Sequence, residues 1–249
     1  MTELDNLRVV LVATRNPLNI GAAARAMSNF GVRRLRVVNP YEVAFREARS
    51  AVGAAALLAK AEQYESVAEA VKDCRLVVGT TAAGRRELQH RLQPLNAGAR
   101  TIQRQLKTGP VALLFGSEKV GLSNHELSHC HWLMRIPTQE DHGSMNLGQA
   151  VAVCLYELVR GQRTASAKTA PEKKAKPSAT SGDVERLTQL LFEVLGASGY
   201  VKPRTAVATQ EKLRRLVRRM ELNANDTELC LGMLRQMAWK LGVNKTASE

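Results

Sequence analysis

The stretch LRVVLVATRNPLNIGAAARAM, residues 7–27, contains the unit from which the fold is built. Five of its first six residues are apolar and three of these are valine, which is typical of a strand that is buried on both faces. A polar loop follows, and after it an alanine-rich segment from about Ile20 to Phe30 has the apolar spacing of a helix. The stretch therefore predicts a strand whose carboxyl end leads directly into a helix.

The same alternation continues to residue 160. Strands that alternate with helices indicate an α/β domain with a parallel, doubly wound sheet. Ligands of such sheets bind beyond the carboxyl ends of the strands, so the loops after the strands are where a functional site is expected. Further strands are predicted at 35–38, 75–79, 111–116 and 132–137, and further helices at 47–60, 66–73, 97–107, 123–129 and 146–160.

A change in composition divides the chain. Residues 161–182, GQRTASAKTAPEKKAKPSATSG, contain no large apolar residue and are predicted to form a flexible linker. Three segments with helical apolar spacing follow it. We therefore predict a domain at 1–160, a linker at 161–182 and a small all-α extension at 183–249.

The chain is strongly basic, with a formal net charge of +13 and a pI near 10.0. Residues 161–249 carry +7 of this charge. The excess can serve solubility alone, or it can attract a polyanion, of which RNA and DNA are the usual ones. An aromatic content of 4% argues against a single-strand binder that stacks bases on aromatic side chains.

The cysteines and the N-terminus indicate a compartment. The four cysteines, at positions 74, 130, 154 and 230, form no CxxC pair, so we expect no disulfide framework and a reducing environment. The first twelve residues include acidic side chains and only a short apolar run, which fits neither a signal peptide nor a membrane span. These features predict a soluble cytoplasmic protein without a membrane partner.

One segment matches a metal-binding pattern. HELSH, residues 125–129, is an H-E-x-x-H sequence, which on a long helix places two zinc-binding histidines one turn apart and adds a glutamate as general base. Here the helix has to end near His131 because a strand follows, and His142 is the nearest candidate for a third ligand. We favour the alternative, a polar surface helix between two strands, and predict no metal site.

The loop after the first strand has no glycine-rich phosphate-binding pattern. Gly21 stands alone where a dinucleotide site would require GxGxxG, and no acidic residue ends the second strand. The loop and the helix after it offer instead Asn16, Asn19 and Arg25. Arg25 can belong to a solvated helix face, or its planar guanidinium can bind a phosphate, and composition does not decide between the two.

Two later loops also combine glycine with polar residues. In LLFGSEKVGLSN, Gly116 and Gly121 bracket the residues SEK at the end of a buried strand. This arrangement either lets a ligand approach the backbone closely or forms an ordinary strand-to-helix turn. The segment IPTQEDHGSMNLGQAVAV, 136–153, has a polar loop before a helix, with Ser144 as the predicted N-cap.

Together the three loops resemble the signature motifs of the SPOUT-class RNA 2′-O-ribose methyltransferases. These motifs appear here as NxGxxxRAM, FGxExxGLSNxEL and SxNLxQAV, in that order within residues 7–160. The later segment EKLRRLVRRM resembles the helical extension of a tRNA anticodon-loop methyltransferase of this class. The chain departs from its relatives at Ser117, where arginine is frequent, at Met145, where leucine is usual, and at Gly148, where alanine is frequent.

The resemblance implies a fold that periodicity does not predict. The α/β domain should contain a C-terminal deep trefoil knot, built from the loops after residues 79, 116 and 137, with S-adenosylmethionine bound within it. True knots are rare in proteins. The cofactor positions that the resemblance implies are Thr80, Thr81, Ala82, Gly116, Glu118, Ile136, Gly143, Ser144 and Met145.

The resemblance also implies catalytic roles in the transfer of a methyl group to a ribose 2′-hydroxyl. Arg25 has the central role, Ser144 and Asn146 orient the hydroxyl or the cofactor, and Asn19 holds the first loop. Because a guanidinium has a pKa above 12, we expect Arg25 to bind phosphate and steady the developing alkoxide rather than to act as the base.

The expected substrate is tRNA, at nucleotide 32 of the anticodon loop, and the expected assembly is a homodimer through the knotted region. The protomer that each Arg25 serves stays open, and so do another tRNA or ribosomal RNA target and a non-catalytic RNA-binding role. The extension helix is predicted to turn Leu213, Leu216 and Val217 inward. The candidates for RNA contacts are Lys212, Arg215 and Arg219 on that helix, together with Arg85 and Arg86, which can equally be a solvated pair.

Overall fold

A computed structural model describes residues 3–41, 53–82, 89–139, 143–165 and 178–243. The strands within these ranges are β1 (Leu7–Val12), β2 (Arg34–Val38), β3 (Glu62–Tyr64), β4 (Leu76–Thr80), β5 (Leu92–Pro94), β6 (Val111–Phe115) and β7 (Trp132–Arg135). They form one sheet in the order β3-β2-β1-β6-β4-β7-β5, and every neighbouring pair is parallel. The predicted parallel α/β architecture is confirmed.

Helices connect and cover the strands. Their bounds are α1 (Pro17–Asn29), α2 (Ala55–Ala59), α3 (Val67–Ala70), α4 (Leu95–Leu106), α5 (Asn124–Leu127), α6 (Leu147–Ala165), α7 (Ser181–Ala197), α8 (Ala206–Arg219) and α9 (Ala224–Lys240). Helix α6 continues five residues beyond its predicted end at 160. Residues 161–165 contain no proline, and the helix continues through Gly161 despite the low helix propensity of glycine. No helix in the described part of the chain is both long and apolar enough to cross a bilayer.

The core has two layers because side chains alternate along each strand. In β1, Val9 and Leu11 belong to the cluster beneath α1, α4 and α6, whereas Val10 and Val12 belong to the cluster beneath α3 and α5. All four side chains are buried. This two-sided burial explains why the four consecutive residues 9–12 are all apolar.

Helix α1 begins where the sequence provides a cap. The Asn16 side chain accepts a hydrogen bond of 2.9 Å from the backbone N–H of Leu18, and Pro17 occupies the first turn, where its missing N–H has no cost. The helix ends before Gly31, whose φ of 73° suits glycine. The cap holds the loop after β1 at the carboxyl edge of the sheet.

The extension consists of α7, α8 and α9, as the three helical segments predict. Its start is hydrogen-bonded to the α/β domain, since the backbone N–H groups of Ser181 and Gly182 donate to the carbonyl oxygens of Cys74 and Lys72 at 2.7 and 2.9 Å. It also has a small apolar core of its own. The extension is therefore docked on the domain that precedes it in the chain.

Helix α8 buries two arginines against the α/β domain. Arg214 and Arg218 are 4% and 2% exposed, and both contact the carboxylate of Glu185 on α7. Burial lowers the pKa of Arg218 to about 10 although Glu185 opposes the shift, so the side chain stays cationic at neutral pH. The predicted inward orientation of Leu216 is wrong, since this side chain is 46% exposed and the arginines take the inward positions. Val217 is buried as predicted.

Candidate functional site

A cavity of about 340 Å³ lies at the carboxyl edge of the sheet. The loops after β4, β6 and β7 and the first turns of α6 form its walls. Its volume lies within the range of small-molecule sites, which is about 300–1,000 Å³. The lining includes all nine positions that the family resemblance implied for the cofactor, namely Thr80, Thr81, Ala82, Gly116, Glu118, Ile136, Gly143, Ser144 and Met145.

The loop after β6 turns back on itself. The backbone N–H of Gly121 donates to the carbonyl oxygen of Ser117 at 2.8 Å, and Gly121 has a φ of 68°. A Cβ atom on Gly116 would lie 2.1 Å from the carbonyl carbon of Gly121, which no side chain can tolerate. Glycine at both positions therefore permits a tight loop whose backbone lines the cavity.

Glu118 joins this loop to the loop after β1. Its Oε1 atom accepts a hydrogen bond of 3.0 Å from the Asn19 amide, and its carboxylate also lies 3.4 Å from the backbone nitrogens of Arg15 and Asn16. Partial burial raises the pKa of Glu118, but these hydrogen bonds outweigh it and hold the pKa below its usual value. Glu118 is thus a charged link between two loops as well as a lining residue.

Asn19 extends the connection to the third loop. Its Oδ1 atom accepts a hydrogen bond of 2.7 Å from the side-chain amide of Asn146. The Oδ1 atom of Asn146 accepts in turn from the backbone N–H groups of Gly148 and Gln149 at 2.9 and 3.4 Å. The structure therefore brings together Asn19, Asn146 and Glu118, three residues that the sequence placed in separate loops.

The cap of α6 differs from the prediction. Because α6 begins at Leu147 and Asn146 accepts from its first N–H groups, Asn146 is the capping residue and the assignment of that role to Ser144 is wrong. Ser144 lines the cavity and is solvent-exposed. Gly148, where relatives frequently have alanine, faces α1, and an added Cβ would lie 2.6 Å from the Ala22 Cβ.

Arg25 lies apart from the cavity lining. It is an exposed residue of α1, six residues after Asn19 and so about 9 Å further along the helix axis. Its guanidinium faces the segment around Gly53, where an ideal Cβ would lie 3.5 Å from the Nη1 atom. Arg25 is therefore an exposed residue that is not part of the cavity lining.

The HELSH segment contacts the extension. Helix α5 has only four residues and a capping box formed by Ser123 and Glu126, so His129 lies beyond its end. The rings of His125 and His129 still contact each other edge to face, with their centroids 5.4 Å apart. The Nδ1 atom of His125 lies 3.9 Å from Glu211, and that of His129 lies 3.7 Å from Glu185. His129 is 2% exposed, so the predicted polar surface helix is wrong at this residue.

Burial explains the protonation state of His129. Desolvation and the nearby cations Arg218 and Arg214 lower its pKa to about 2, so the ring is neutral. Its contact with Glu185 is therefore not an ion pair at physiological pH. His142, the candidate for a third zinc ligand, lies outside the described residues.

The predicted RNA contacts differ in their surroundings. Lys212 and Arg219 are exposed on α8. The Arg215 side chain is only 12% exposed and lies 3.8 Å from Glu211, so Arg215 is less accessible to solvent than Lys212 and Arg219. Arg85 and Arg86 lie outside the described residues.

Sequence reasoning missed some of the cavity wall. Leu122, Leu127 and Met134 line the cavity, although they read as ordinary core residues. Thr138 was also missed, and its hydroxyl donates to the carbonyl oxygen of Gly143 at 3.3 Å. The position of Thr138 directly after a predicted strand is the signal that could have identified it.

Comparisons with known proteins agree with this architecture. The model of the SpoU rRNA Methylase family matches residues 6–156. The tRNA (cytidine/uridine-2′-O-)-methyltransferase TrmJ of Pectobacterium atrosepticum is 36% identical over 232 residues, which are 93% of this chain and 96% of that protein.

Solved structures are also similar. The crystal structure of TrmJ from Z. mobilis ZM4 aligns with a TM-score of 0.79 and 30% identity, covering 92% of this chain and 98% of that one. The SpoU methyltransferase AviRb from Streptomyces viridochromogenes, in complex with the cofactor AdoMet, aligns with a TM-score of 0.50 and 26% identity, covering 64% and 59%. The first alignment includes the extension, because it covers more of the chain than the α/β domain alone.

Proposed function

The chain belongs to the SpoU rRNA Methylase family, and on this basis we propose that it transfers a methyl group from S-adenosylmethionine to a ribose 2′-hydroxyl of tRNA. The proposed acceptor is nucleotide 32 of the anticodon loop. The observation that carries the proposal is the cavity at the carboxyl edge, whose walls include two of the three motif loops, those after β6 and β7, together with the loop after β4. The similarity to tRNA (cytidine/uridine-2′-O-)-methyltransferases over 93% of the chain supports tRNA as the substrate.

The cavity suits the proposed cofactor. Small residues and exposed backbone at Thr80–Ala82 and Gly116 leave room for a flat adenosine group, and the apolar side chains of Leu122, Leu127 and Ile136 supply contacts with its faces. We propose that the chain between these loops passes through the deep trefoil knot that the resemblance implies. The related AviRb structure contains AdoMet, which supports the same ligand here.

S-adenosylmethionine supplies a methyl group that its sulfonium already activates. The protein then has to align the acceptor hydroxyl and stabilise the charge that develops on its oxygen. Ser144 lines the cavity, and Asn146 lies two residues later, directly before α6. Their side chains are proposed to donate hydrogen bonds to the ribose or the cofactor. The proton acceptor is left to the substrate phosphate or to water, because a charged guanidinium cannot accept a proton.

We propose that Arg25 acts from the partner protomer of a homodimer. Leu18 and Arg25 are seven residues apart and share one face of α1, where Leu18 is 79% exposed. Tyr156, on the neighbouring helix α6, is 55% exposed and contacts Phe30 edge to face. Such an apolar surface favours association, and a dimer through it would bring Arg25 to the second protomer.

The extension is proposed to bind the tRNA outside the reaction site. Lys212 and Arg219 are exposed cations on α8, which suits contacts with phosphate.

A cytoplasmic location agrees with the four free cysteines, three of them buried.

The test is a methylation assay with purified protein, labelled S-adenosylmethionine and an unmodified tRNA transcript. A matched tRNA with a 2′-deoxyribose at nucleotide 32 serves as the control, because it lacks only the acceptor oxygen. We expect incorporation into the first tRNA and none into the second. Equal incorporation into both would show that the methylated nucleotide is not nucleotide 32. Cofactor binding without incorporation into any tRNA would indicate a non-catalytic RNA-binding protein.

A further inference from the structure

One segment of the chain contacts both the cavity and the extension. Leu122 and Leu127 line the cavity. The next residue, Ser128, is completely buried beneath α8. A shift of α8 that moves Ser128 would therefore also move Leu127 in the cavity wall, because the two residues are joined by one peptide bond.

Two guanidinium groups hold Ser128. The Nη1 atom of Arg214 donates to the Ser128 hydroxyl at 3.0 Å, and the Nε atom of Arg218 donates to the Ser128 carbonyl oxygen at 3.3 Å. The Ser128 hydroxyl itself donates to the carbonyl oxygen of His125 at 2.6 Å, which tightens the turn that ends α5. Side chain and backbone of one residue are thus fixed from the same helix.

Glu185 sets the orientation of both arginines. Its Oε1 atom accepts hydrogen bonds from Nε and Nη2 of Arg214 at 3.0 and 2.8 Å, and its Oε2 atom accepts from Nη2 of Arg218 at 3.2 Å. Buried charges of this kind have few alternative arrangements, because breaking one pair leaves an uncompensated charge. The network is therefore a rigid connection between α7, α8 and the turn after α5.

The other side of α8 is the surface proposed for RNA. Arg219 is exposed, although it is adjacent in sequence to the buried Arg218. The same short helix thus presents cations to solvent and arginines to the cavity segment. Binding of a polyanion to the exposed side would act on a helix that is rigidly joined to Ser128.

We propose that Arg214 and Arg218 are positioning residues that couple RNA binding on α8 to cofactor binding in the cavity. This inference rests on the proposed function, since it takes S-adenosylmethionine as the ligand of the cavity and tRNA as the ligand of α8. Coupling between two sites is reciprocal, so each ligand has to change the affinity of the other by the same factor. A role in folding alone would not produce such a factor.

The experiment measures this factor by titration calorimetry. S-adenosylhomocysteine, the demethylated product, is titrated into the full chain with and without saturating tRNA that has a 2′-deoxyribose at nucleotide 32, so that no turnover occurs. For the natural chain we expect tRNA to tighten S-adenosylhomocysteine binding at least about fivefold, the lower end of typical coupling between sites. The reverse titration should give the same factor.

Two neighbouring substitutions separate coupling from charge. Arg218→Met keeps the volume of a buried side chain and leaves the Arg214–Glu185 pair in place, and it should reduce the coupling factor to less than about twofold. Arg219→Met removes an exposed cation from the same helix, and it should weaken tRNA binding while the coupling factor is unchanged. Ser128→Ala, which removes only the hydroxyl that accepts from Arg214, should reduce the factor in a chain that keeps both arginines.

Three results would overturn the inference. The first is a coupling factor below twofold in the natural chain. The second is an unchanged coupling factor in Arg218→Met. Circular dichroism shows whether this variant folds, and if it does not, an unchanged coupling factor in Ser128→Ala overturns the inference instead. The third is loss of the factor in Arg219→Met as well. A natural chain that binds no S-adenosylhomocysteine at all would instead contradict the proposed function, and this inference with it.

Discussion

The side-chain amide of Asn146 donates a hydrogen bond of 2.7 Å to the side-chain oxygen of Asn19, across 127 residues of sequence. Asn19 uses its own amide group to donate to Glu118 at 3.0 Å. The result is a directional chain in which each asparagine accepts at one end and donates at the other. Reversing a single donor would therefore disturb all three loops.

Asn19→Asp makes this reversal with little change of volume. An aspartate at position 19 would face the carboxylate of Glu118 without a donor between them, so like charges would separate the loops. Since a hydrogen bond to a charged group contributes about 1.5–3 kcal/mol, we expect kcat/KM to fall roughly tenfold or more. Steady-state kinetics with tRNA transcript measures the loss.

A second substitution provides the control for this effect. In Asn19→Asp combined with Glu118→Gln, the new glutamine can donate to the new aspartate, so most of the missing activity should return. If the double variant is no better than Asn19→Asp alone, the chain of hydrogen bonds is not what positions the loops.

Asn146→Ala and Ser144→Ala should differ in stability. Asn146 caps α6, and loss of a cap costs about 1 kcal/mol, whereas Ser144 does not accept from the helix. Thermal unfolding should therefore shift downward in Asn146→Ala only, while Ser144→Ala should weaken binding of S-adenosylmethionine. Equal melting temperatures for the two variants would assign the cap to another group.

Mixed dimers can identify the protomer that each Arg25 serves. Arg25→Ala should retain cofactor binding and lose methyl transfer, and Ala82→Trp should fill the cavity of its own protomer. If Arg25 acts on the partner, mixing the two inactive variants should restore about a quarter of the natural activity, because half of the dimers acquire one complete site. If Arg25 acts within its own protomer, the mixture should stay inactive.

Arg25→Lys tests the geometry of the same contact. A lysine keeps the charge but not the planar fork that binds two phosphate oxygens, so it should fail nearly as completely as alanine. Retention of more than about a tenth of the rate, a difference of about 1.4 kcal/mol, would remove Arg25 from the central role.

Lys212→Met and Arg219→Met should weaken tRNA binding through counterion release. Removing one cation that binds a phosphate should reduce the slope of log affinity against log salt by about 0.7–0.9. Filter binding at several salt concentrations gives this slope. Arg235→Met, at an exposed site on α9, is the matched control for a general change of charge. A slope that changes equally in all three variants would show that α8 has no special part in RNA binding.

The stabilisation provided by Glu118 should depend on pH. Because its pKa is lowered in the folded chain, the contribution is complete above the usual carboxyl value of 4.5 and is lost as the pH falls through the lower folded-state value. Thermal unfolding of the natural chain and of Glu118→Gln should therefore differ at pH 7 and converge below pH 4.5. A difference that persists unchanged in acid would mean that the carboxylate is not the stabilising form.

The strands that sequence predicted are those buried on both faces. β6 is apolar throughout, and β1 is apolar apart from Arg8, so their pattern is clear. β3 and β5 were missed because each has only three residues, EQY and LQP, and lies at an edge of the sheet. Their pairing comes from tertiary contacts that no local pattern records.

The candidate site shows the same division. The positions that line the cavity were predicted from the resemblance to a known family, whereas the sheet pattern alone predicts only that the loops after parallel strands meet at one edge. The inner face of α8 could not be predicted, since hydrophobic periodicity assigns arginine to solvent. Arg214 and Arg218 are buried instead, and both form ion pairs with Glu185 on another helix. Such an ion pair can be recognised only in the three-dimensional structure, where the two helices lie side by side. The trefoil knot and the roles of Arg85 and Arg86 stay predictions.

The tight closure of the loop after β6 has a consequence for protein engineering. A library that randomises this loop to change the accepted cofactor cannot include Gly116, because a Cβ there would overlap the backbone of Gly121 and Leu122. The exposed positions Lys119 and Val120 at the tip of the loop have no such constraint. Diversity placed at the tip can alter the shape of the cavity while the turn that creates it is retained.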